Sequence, residues 1–303
     1  MAPYLWMLLA AASFATMNAL GRAASERGAD WRLVALARVG LMLLFAFVIA
    51  RAGRVRLAFL RPPALWMRSL AGSAALLSTF YSVTHLPLSD AVTLMNTVPV
   101  WVTLLSWPLL GERPGLKEAA AVGVSMLGVV LIAQPHFREG NLAILVALAN
   151  AAFTAVAVLG LHRLGGLDPR AVVVHFSAVA TAVGGAVLSL SGLEPHLPAL
   201  RNAQAMALLV GVALVGTVGQ IGLTRAFALG VPARVSVVGL TQLLFAVGYD
   251  VFLWRRTVNA WAAAGMILVA APTAWLLLRR ALRRNRAGGN EEIVKRDELS
   301  AVP

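Results

Sequence analysis

Five amide side chains and two aromatic side chains stand inside long apolar stretches of this sequence. A polar group in an apolar segment is costly unless it faces the interior of a helix bundle, where it meets a partner or water. Tyrosine and tryptophan add an apolar body with a polar handle, which suits contact with a small organic molecule. We therefore interpret the following residues as candidate substrate-binding residues: Asn18, Tyr81, Asn96, Trp101, Asn150, Gln220 and Gln242.

Each of these residues also has a purely structural interpretation. Asn18 and Asn150 could join helices through hydrogen bonds, which is worth about 1 kcal/mol each. Tyr81 and Trp101 could be aromatic residues at the lipid interface. Asn96 has the strongest claim, because it lies three residues before Pro99, which removes a backbone donor and predicts a kink with a freed carbonyl.

Two charged residues inside apolar stretches carry further expectations. Arg38 could act as a gate together with the kink at Pro99, or it could anchor a loop or a lipid phosphate. Asp250 is the acid that lies well inside a stretch, and Arg255 and Arg256 are near enough in sequence to pair with it. The first stretch contains no acid, so we expect a facilitator or exchanger without an obligatory proton site.

Catalytic patterns do not emerge from the sequence. The chain has no cysteine, which excludes thiolate metal ligands and thiol nucleophiles. Five histidines are scattered at positions 85, 136, 162, 175 and 196, without a metal-protease, serine-elbow or phosphate-loop motif. We expect no enzyme, no cofactor and no metal; an integral-membrane lipid enzyme and a channel or receptor are weaker alternatives.

The composition defines the elements that must position these residues. Of 303 residues, 59% are hydrophobic and 13% are charged, and the mean hydropathy is +0.79. These values predict an all-α integral membrane protein with many spans. Ten apolar stretches of suitable length are found: Tyr4–Gly21, Leu33–Ala50, Leu65–His85, Ala91–Leu110, Leu116–Ala133, Leu142–Leu161, Ala171–Leu193, Ala203–Leu229, Arg234–Trp254 and Asn259–Leu278.

The net charge of +13 is concentrated between these stretches and in the tail. This placement is typical of topology signals rather than of a nucleic-acid surface, so we expect no nucleic-acid partner. With the N-terminus inside, sixteen Lys and Arg residues fall on the inner side and seven on the outer side. We therefore expect both termini in the cytoplasm and a disordered cytoplasmic tail over residues 281–303.

An internal repeat organises the chain. Residues 86–110 align without gaps with residues 229–253 at an offset of 143, and the ten stretches divide into two sets of five. An odd number of spans per repeat gives the halves opposite orientations, an architecture typical of alternating-access carriers. We predict ten transmembrane helices as two inverted five-helix repeats, one over residues 1–134 and one over residues 141–280.

Short turns with small residues precede the fourth helix of each half, at residues 86–91 and 229–233. Together with Pro99 within the fourth helix of the first half and Leu110-Gly111-Glu112-Arg113 at its end, they resemble the EamA-type permeases of the drug/metabolite transporter superfamily. The resemblance covers residues 4 to about 280. It implies ten helices around a central cavity that carries small organic solutes, often outward. The sequence departs from the family pattern at Gln242 and at Arg255 and Arg256.

From this resemblance we expect a carrier that exports amino acids or related metabolites across the cell inner membrane. Its partners would be a small-molecule substrate and the lipid bilayer, and ten helices can enclose a path within a monomer. The runner-up interpretation is efflux of drugs or toxic compounds by proton antiport. An amide-rich cavity with little fixed charge would favour a zwitterionic or amphipathic solute.

Overall fold

The computed structural model describes residues 2–29, 31–85, 93–134, 142–189, 202–255 and 257–275. Within these ranges the chain forms helices and connecting turns, with no strand, and the predicted all-α fold is confirmed. The helices are α1 (Ala2–Ser25), α2 (Trp31–Ala52), α3 (Pro63–His85), α4 (Val98–Leu110), α5 (Leu116–Ala133), α6 (Leu142–Arg163), α7 (Pro169–Ser189), α8 (Ala203–Leu229), α9 (Pro232–Gly239), α10 (Thr241–Trp254) and α11 (Ala260–Trp275).

Seven helical segments in the described residues are long and apolar enough to cross a membrane. They include α1, α6, α8 and most of α2 and α7, and two segments that each contain an interruption, Thr93–Leu110 and Pro232–Leu253. The predicted tail at residues 281–303, the end of the seventh stretch at residues 190–193 and the turn at residues 86–90 lie outside the described residues.

Local chemistry explains several helix ends. Gly111 adopts a φ of 73°, a left-handed conformation that suits glycine, and its N–H bonds the Trp107 carbonyl to close α4. At the start of α8, the Asn202 side chain accepts hydrogen bonds from the N–H groups of Gln204 (3.0 Å) and Ala205 (3.2 Å). A proline in the first turn, Pro232, begins α9 without losing any helical hydrogen bond.

Two segments are interrupted at corresponding places. Helical residues 93–95 are separated from α4 by a turn at Asn96 and Thr97, and α9 is separated from α10 at Leu240. The predicted kink at Pro99 takes a different form: Pro99 lies in the first turn of α4, where its missing N–H is not needed. Asn96 and Gly239 are 143 residues apart, the offset of the sequence repeat.

The helix contacts occur in matching sets. The most extensive contact joins α1 to α8, followed by the contact of α3 with α6 and that of α2 with α7. Helix α5 meets α11 at two glycines: an added Cβ on Gly128 would lie 2.7 Å from the Gly265 carbonyl, and one on Gly265 would lie 2.6 Å from the Gly128 carbonyl. The backbones of these two helices therefore touch at two glycines in a reciprocal contact.

The largest apolar cluster fills one end of the bundle. It includes Tyr4 at the start of α1, Leu65 at the start of α3, Leu161 near the end of α6, Phe227 near the end of α8 and Val235 at the start of α9. Each of these residues is at most 2% exposed. This end of the bundle, where α1 begins, is closed by packed side chains.

Candidate functional site

A cavity of about 440 Å³ lies between the two halves of the chain. This volume is within the range of small-molecule sites, roughly 300 to 1,000 Å³. Both helix interruptions contribute to its wall, through Asn96 on one side and through Gly239 and Leu240 on the other. The polar lining residues are Asn18, Arg38, Arg68, Thr79, Asn96, Asn150, Thr154, Gln220, Ser236 and Gln242.

Most of the residues predicted from the sequence meet in this cavity. All five amides line it, and so do Arg38 and Pro99. The two aromatic candidates are not among the lining residues: Trp101 packs, partly buried, against the large apolar cluster, and Tyr81 is 37% exposed. The cavity wall is therefore richer in amides than in aromatic side chains with polar handles.

Asn150 joins two helices and faces the cavity at the same time. Its Nδ2 donates to the Ala75 carbonyl at 2.5 Å and to Thr79 Oγ1 at 2.6 Å, both on α3. The two interpretations of this residue, as a cavity residue and as a link between helices, thus apply together. Both of its N–H groups are used within the protein, so its carbonyl oxygen is the part that can serve a ligand.

Gln220 offers the complementary group. Its side chain is 3% exposed, and Nε2 is buried without a hydrogen-bond partner among the described residues. A buried amide donor without a partner is costly unless water or a ligand accepts from it. Asn18, by contrast, is exposed near the mouth of the cavity, and Gln242 lies half-buried one residue into α10.

Two arginines change the electrostatics that the sequence led us to expect. Arg38 on α2 and Arg68 on α3 both line the cavity, and Arg68 is only 4% exposed. The Nε atoms of both are buried without a hydrogen-bond partner among the described residues. The cavity was expected to carry little fixed charge, but it contains two guanidinium groups that repel each other.

The Arg68 guanidinium is held by its neighbours on two sides. Its Cζ lies 4.1 Å from the centroid of the Phe176 ring on α7, and its Nη1 lies above Gly72, where an added Cβ would be 2.2 Å away. Arg38 makes a longer contact with an aromatic ring, with its Cζ 5.9 Å from the Phe14 centroid. The sequence offered one signal for Arg68: this arginine lies inside an apolar stretch, one helical turn before Gly72, which leaves room for its guanidinium group.

Ion pairs join the helices at both ends of the bundle. At the end where α1 begins, Arg234 on α9 pairs with Glu118 on α5, with Arg234 Nε 2.7 Å from Glu118 Oε1. Near the other end of α1, Arg22 Nη1 lies 3.1 Å from Asp250 Oδ1. This contact comes from a helix in the other half of the chain and was not predicted from the sequence. Of the two partners that were expected for Asp250, Arg255 and Arg256, the second lies outside the described residues.

His175 is buried on α7 and has a structural environment. Its Nδ1 lies 2.7 Å from Ser69 Oγ, and its Nε2 lies 3.2 Å from the Phe59 carbonyl. Its ring and the Trp66 ring form a T-shaped pair with a centroid distance of 4.8 Å. Among the described residues, no three His, Asp or Glu side chains gather in an arrangement that could hold a metal ion.

These features define a class, that of helical multi-pass membrane proteins with a polar cavity inside the bundle. Comparison with known proteins identifies the family. The sequence profile of the EamA-like transporter family matches residues 1–134. The pseudopaline exporter CntI of Pseudomonas aeruginosa is 30% identical over 264 residues, which is 86% of this chain and 91% of that protein. The chain belongs to the EamA-like transporter family and is a membrane transporter.

More distant proteins share the same region. Solute carrier family 35 member G1 of Homo sapiens is 22% identical and covers 71% of this chain and 62% of that protein. A solved crystal structure matches with a TM-score of 0.72 at 17% sequence identity, covering 90% of this chain and 96% of the other. This likeness shows that the fold is shared.

Proposed function

We propose that the protein is an alternating-access carrier of ten transmembrane helices in two inverted five-helix repeats, residues 1–134 and 141–280. The paired contacts support the proposal: α1 packs on α8 as α6 packs on α3, and α2 packs on its own counterpart α7. An approximate two-fold axis between the halves produces such pairs. The two interruptions, 143 residues apart, add support, because discontinuous helices commonly form the sites of such carriers.

The proposed solutes are small organic metabolites, among them amino acids and related compounds, and the proposed direction is export. One relative that spans nearly the same length is named as an exporter of a metabolite. In this proposal the protein is a monomer in the cell inner membrane, with both termini and the tail at residues 281–303 in the cytoplasm. Its partners are the solute and the lipid bilayer.

The observation that carries the proposal is the position of the cavity. It lies where both interrupted segments meet, and amides from four different helices reach it, together with Asn96 from the turn before α4. We propose that these five amides contact the solute, with Pro99 and Arg38 at the moving part of the site. Tyr81 and Trp101 are proposed to act indirectly, through packing around the cavity.

The test is efflux from proteoliposomes that contain the purified chain and are loaded with a mixed pool of amino acids and related metabolites. We expect a few solutes to leave selectively and saturably, as measured by mass spectrometry of the external medium. Substitution Asn96→Ala is expected to abolish this selective loss. Ohmic current in place of saturable flux would contradict a carrier.

A matched control is the exposed amide Gln204, which lies at the start of α8 outside the cavity wall. Substitution Gln204→Ala removes an amide from the same protein and is expected to leave efflux unchanged. If both substitutions reduce efflux equally, the site at the helix interruption is wrong. If wild-type protein releases no more solute than empty liposomes from any metabolite, sugar or drug pool, the carrier proposal fails.

A further inference from the structure

We infer that Arg38 and Arg68 bind a carboxylate of the transported solute, so that the preferred substrates are small organic anions. This inference rests on the proposed function, because it names the substrate class of the same cavity. It differs from the expectation of a zwitterionic or amphipathic solute that the amides alone would give.

The first step concerns the partners that the described residues offer to these two side chains. The guanidinium groups of Arg38 and Arg68 come from α2 and α3, which are consecutive in the chain, and both line the cavity. Among the described residues, the Nε atoms of both side chains are buried without a hydrogen-bond partner. A buried charge without a partner is among the most costly arrangements in a protein, and more so within a membrane.

The second step is that the neighbouring rings offset only part of this cost. Phe176 lies 4.1 Å from Arg68 and Phe14 lies 5.9 Å from Arg38, measured from Cζ to the ring centroid. The gain of a cation on an aromatic face is smaller than the cost of removing an ion from water.

The third step is the charge balance of the wall. None of the acidic residues that the structure describes lines the cavity. They lie near the ends of helices or in the connecting turns, at Glu26, Glu112, Glu118, Asp168 and Asp250. A zwitterion would therefore bring its ammonium group into a wall with two positive charges, whereas an anion without an ammonium group neutralises them.

The fourth step is the match of the remaining groups. A guanidinium fork binds the two oxygens of a carboxylate side by side, and two forks suit one shared carboxylate or a dicarboxylate. The free donor of Gln220 and the free oxygen of Asn150 can bind a neutral polar part of the same solute. Most other lining residues, such as Met17, Leu76 and Phe227, are apolar and fit a short carbon chain.

The experiment measures thermal stabilisation of the purified full chain in detergent by matched solutes. The pairs are succinate with succinamide and glutarate with glutaramide, since each pair differs by carboxylate and amide at nearly equal size and neither member carries an ammonium group. Glycerol 3-phosphate represents organic phosphates. We expect the acids to reach half-maximal stabilisation at concentrations lower by about tenfold or more than their amides.

The variants assign this effect to the two arginines. Substitutions Arg38→Gln and Arg68→Gln are each expected to weaken stabilisation by the acids about tenfold or more, while Arg68→Lys, which keeps the charge, has an intermediate effect. The control is Arg225→Gln on α8, because the Arg225 guanidinium lies 4.7 Å from the Trp6 ring centroid and outside the cavity wall. Size-exclusion chromatography identifies any variant that fails to fold, and the wild-type comparison does not depend on the variants.

Several results would overturn the inference. These are equal stabilisation by acids and amides, stronger stabilisation by glycerol 3-phosphate, absence of stabilisation by either acid, and an equal loss in the Arg225→Gln control. Exchange of the same solutes in proteoliposomes separates the two proposals. Acids that bind but are never exchanged would leave the anion site standing and refute the carrier, whereas exchange of neutral solutes alone would do the opposite.

Discussion

Arg68 owes its position in the cavity to the missing side chain of Gly72, one helical turn later. A Cβ at Gly72 would lie 2.2 Å from Arg68 Nη1 and 2.8 Å from Phe176 Cε2. Substitution Gly72→Ala must displace the guanidinium, the ring or both. We expect it to weaken stabilisation by succinate about tenfold, and to destabilise the protein by roughly 1 to 3 kcal/mol, as overpacking does.

The control for this change is Gly185→Ala on α7, where an added Cβ meets nothing within 4 Å. Both variants are compared by thermal unfolding with and without succinate. Unchanged succinate stabilisation in Gly72→Ala would show that the position of Arg68 does not matter for the anion. An equal loss in both variants would show that the effect is a general one of alanine in place of glycine.

The amides of the site and Arg38 could be predicted from the sequence, whereas the contribution of Arg68 to the cavity could not. A polar side chain in an apolar stretch must face inward, because its exposure to lipid is costly in free energy. This rule alone identified Asn96, Asn150 and Gln220. An arginine is long enough to reach the membrane surface from within a helix, so the same rule does not place Arg68. Trp101 lies two residues after Pro99, about 200° around the helix, which turns it away from the cavity.

At the scale of the helices, α7 begins at an ion pair between Asp168 and Arg170, from which we predict how the stability of the protein depends on pH. Asp168 accepts hydrogen bonds from the Arg170 backbone N–H (2.8 Å) and from the Arg170 side chain through Nε (3.0 Å) and Nη2 (2.8 Å). The hydrogen bond from the Arg170 side chain, together with the nearby charge, lowers the pKa of Asp168 below its ordinary value of 3.8. Because the folded pKa is the lower one, the contact stabilises the protein above pH 3.8 and is lost as the pH falls through the folded pKa.

We expect Asp168→Asn to lower the free energy of unfolding at neutral pH by less than about 1 kcal/mol, since both side chains are about one-third exposed. The difference from wild type should disappear as the pH is lowered to about 2. Chemical unfolding in detergent over this pH range checks the prediction. A difference that stays constant with pH would show that the charge of Asp168 is not the cause.

The sequence predicted the helices well but only one of the two interruptions. Prolines and charges bound most apolar stretches, so Leu116–Ala133 and Ala203–Leu229 begin and end where they were predicted. Pro99 indicated a break in the fourth stretch, although the chain turns earlier, at Asn96 and Thr97. The break at Leu240 has no proline to indicate it, and the sequence there reads as continuous helix. Gly239, just before the break, packs tightly against α1, where an added Cβ would lie 2.7 Å from Met7 Cε.

For the protein as a whole, the closed end of the bundle predicts from which side the cavity can be reached. Packed apolar residues fill the end where α1 begins, whereas Asn18, in the later part of α1, is exposed and lines the cavity. We expect a thiol reagent that cannot cross membranes to label Asn18→Cys from the side opposite the N-terminus. In the proposed topology this is the outer face of intact cells.

The chain contains no native cysteine, so one introduced thiol gives an unambiguous signal. The control is Val235→Cys, at a position that is fully buried in the closed end; it should be labelled much more slowly from the same side. Faster labelling of Asn18→Cys in inside-out vesicles than in intact cells would contradict either the proposed topology or the closed end. Labelling of a terminal tag from each side distinguishes these two explanations.

The reciprocal contact of Gly128 with Gly265 limits which substitutions the two halves can accept during evolution. The carbonyl of each glycine occupies the place that a side chain on the other glycine would need, as residues contact each other reciprocally in the isologous interface of a symmetric dimer. A larger residue at either position would meet backbone atoms, which cannot rotate away as a side chain can. A change in one half therefore has to be matched by a shift in the other, so these two positions are expected to stay small together while the surrounding sequences of the halves diverge.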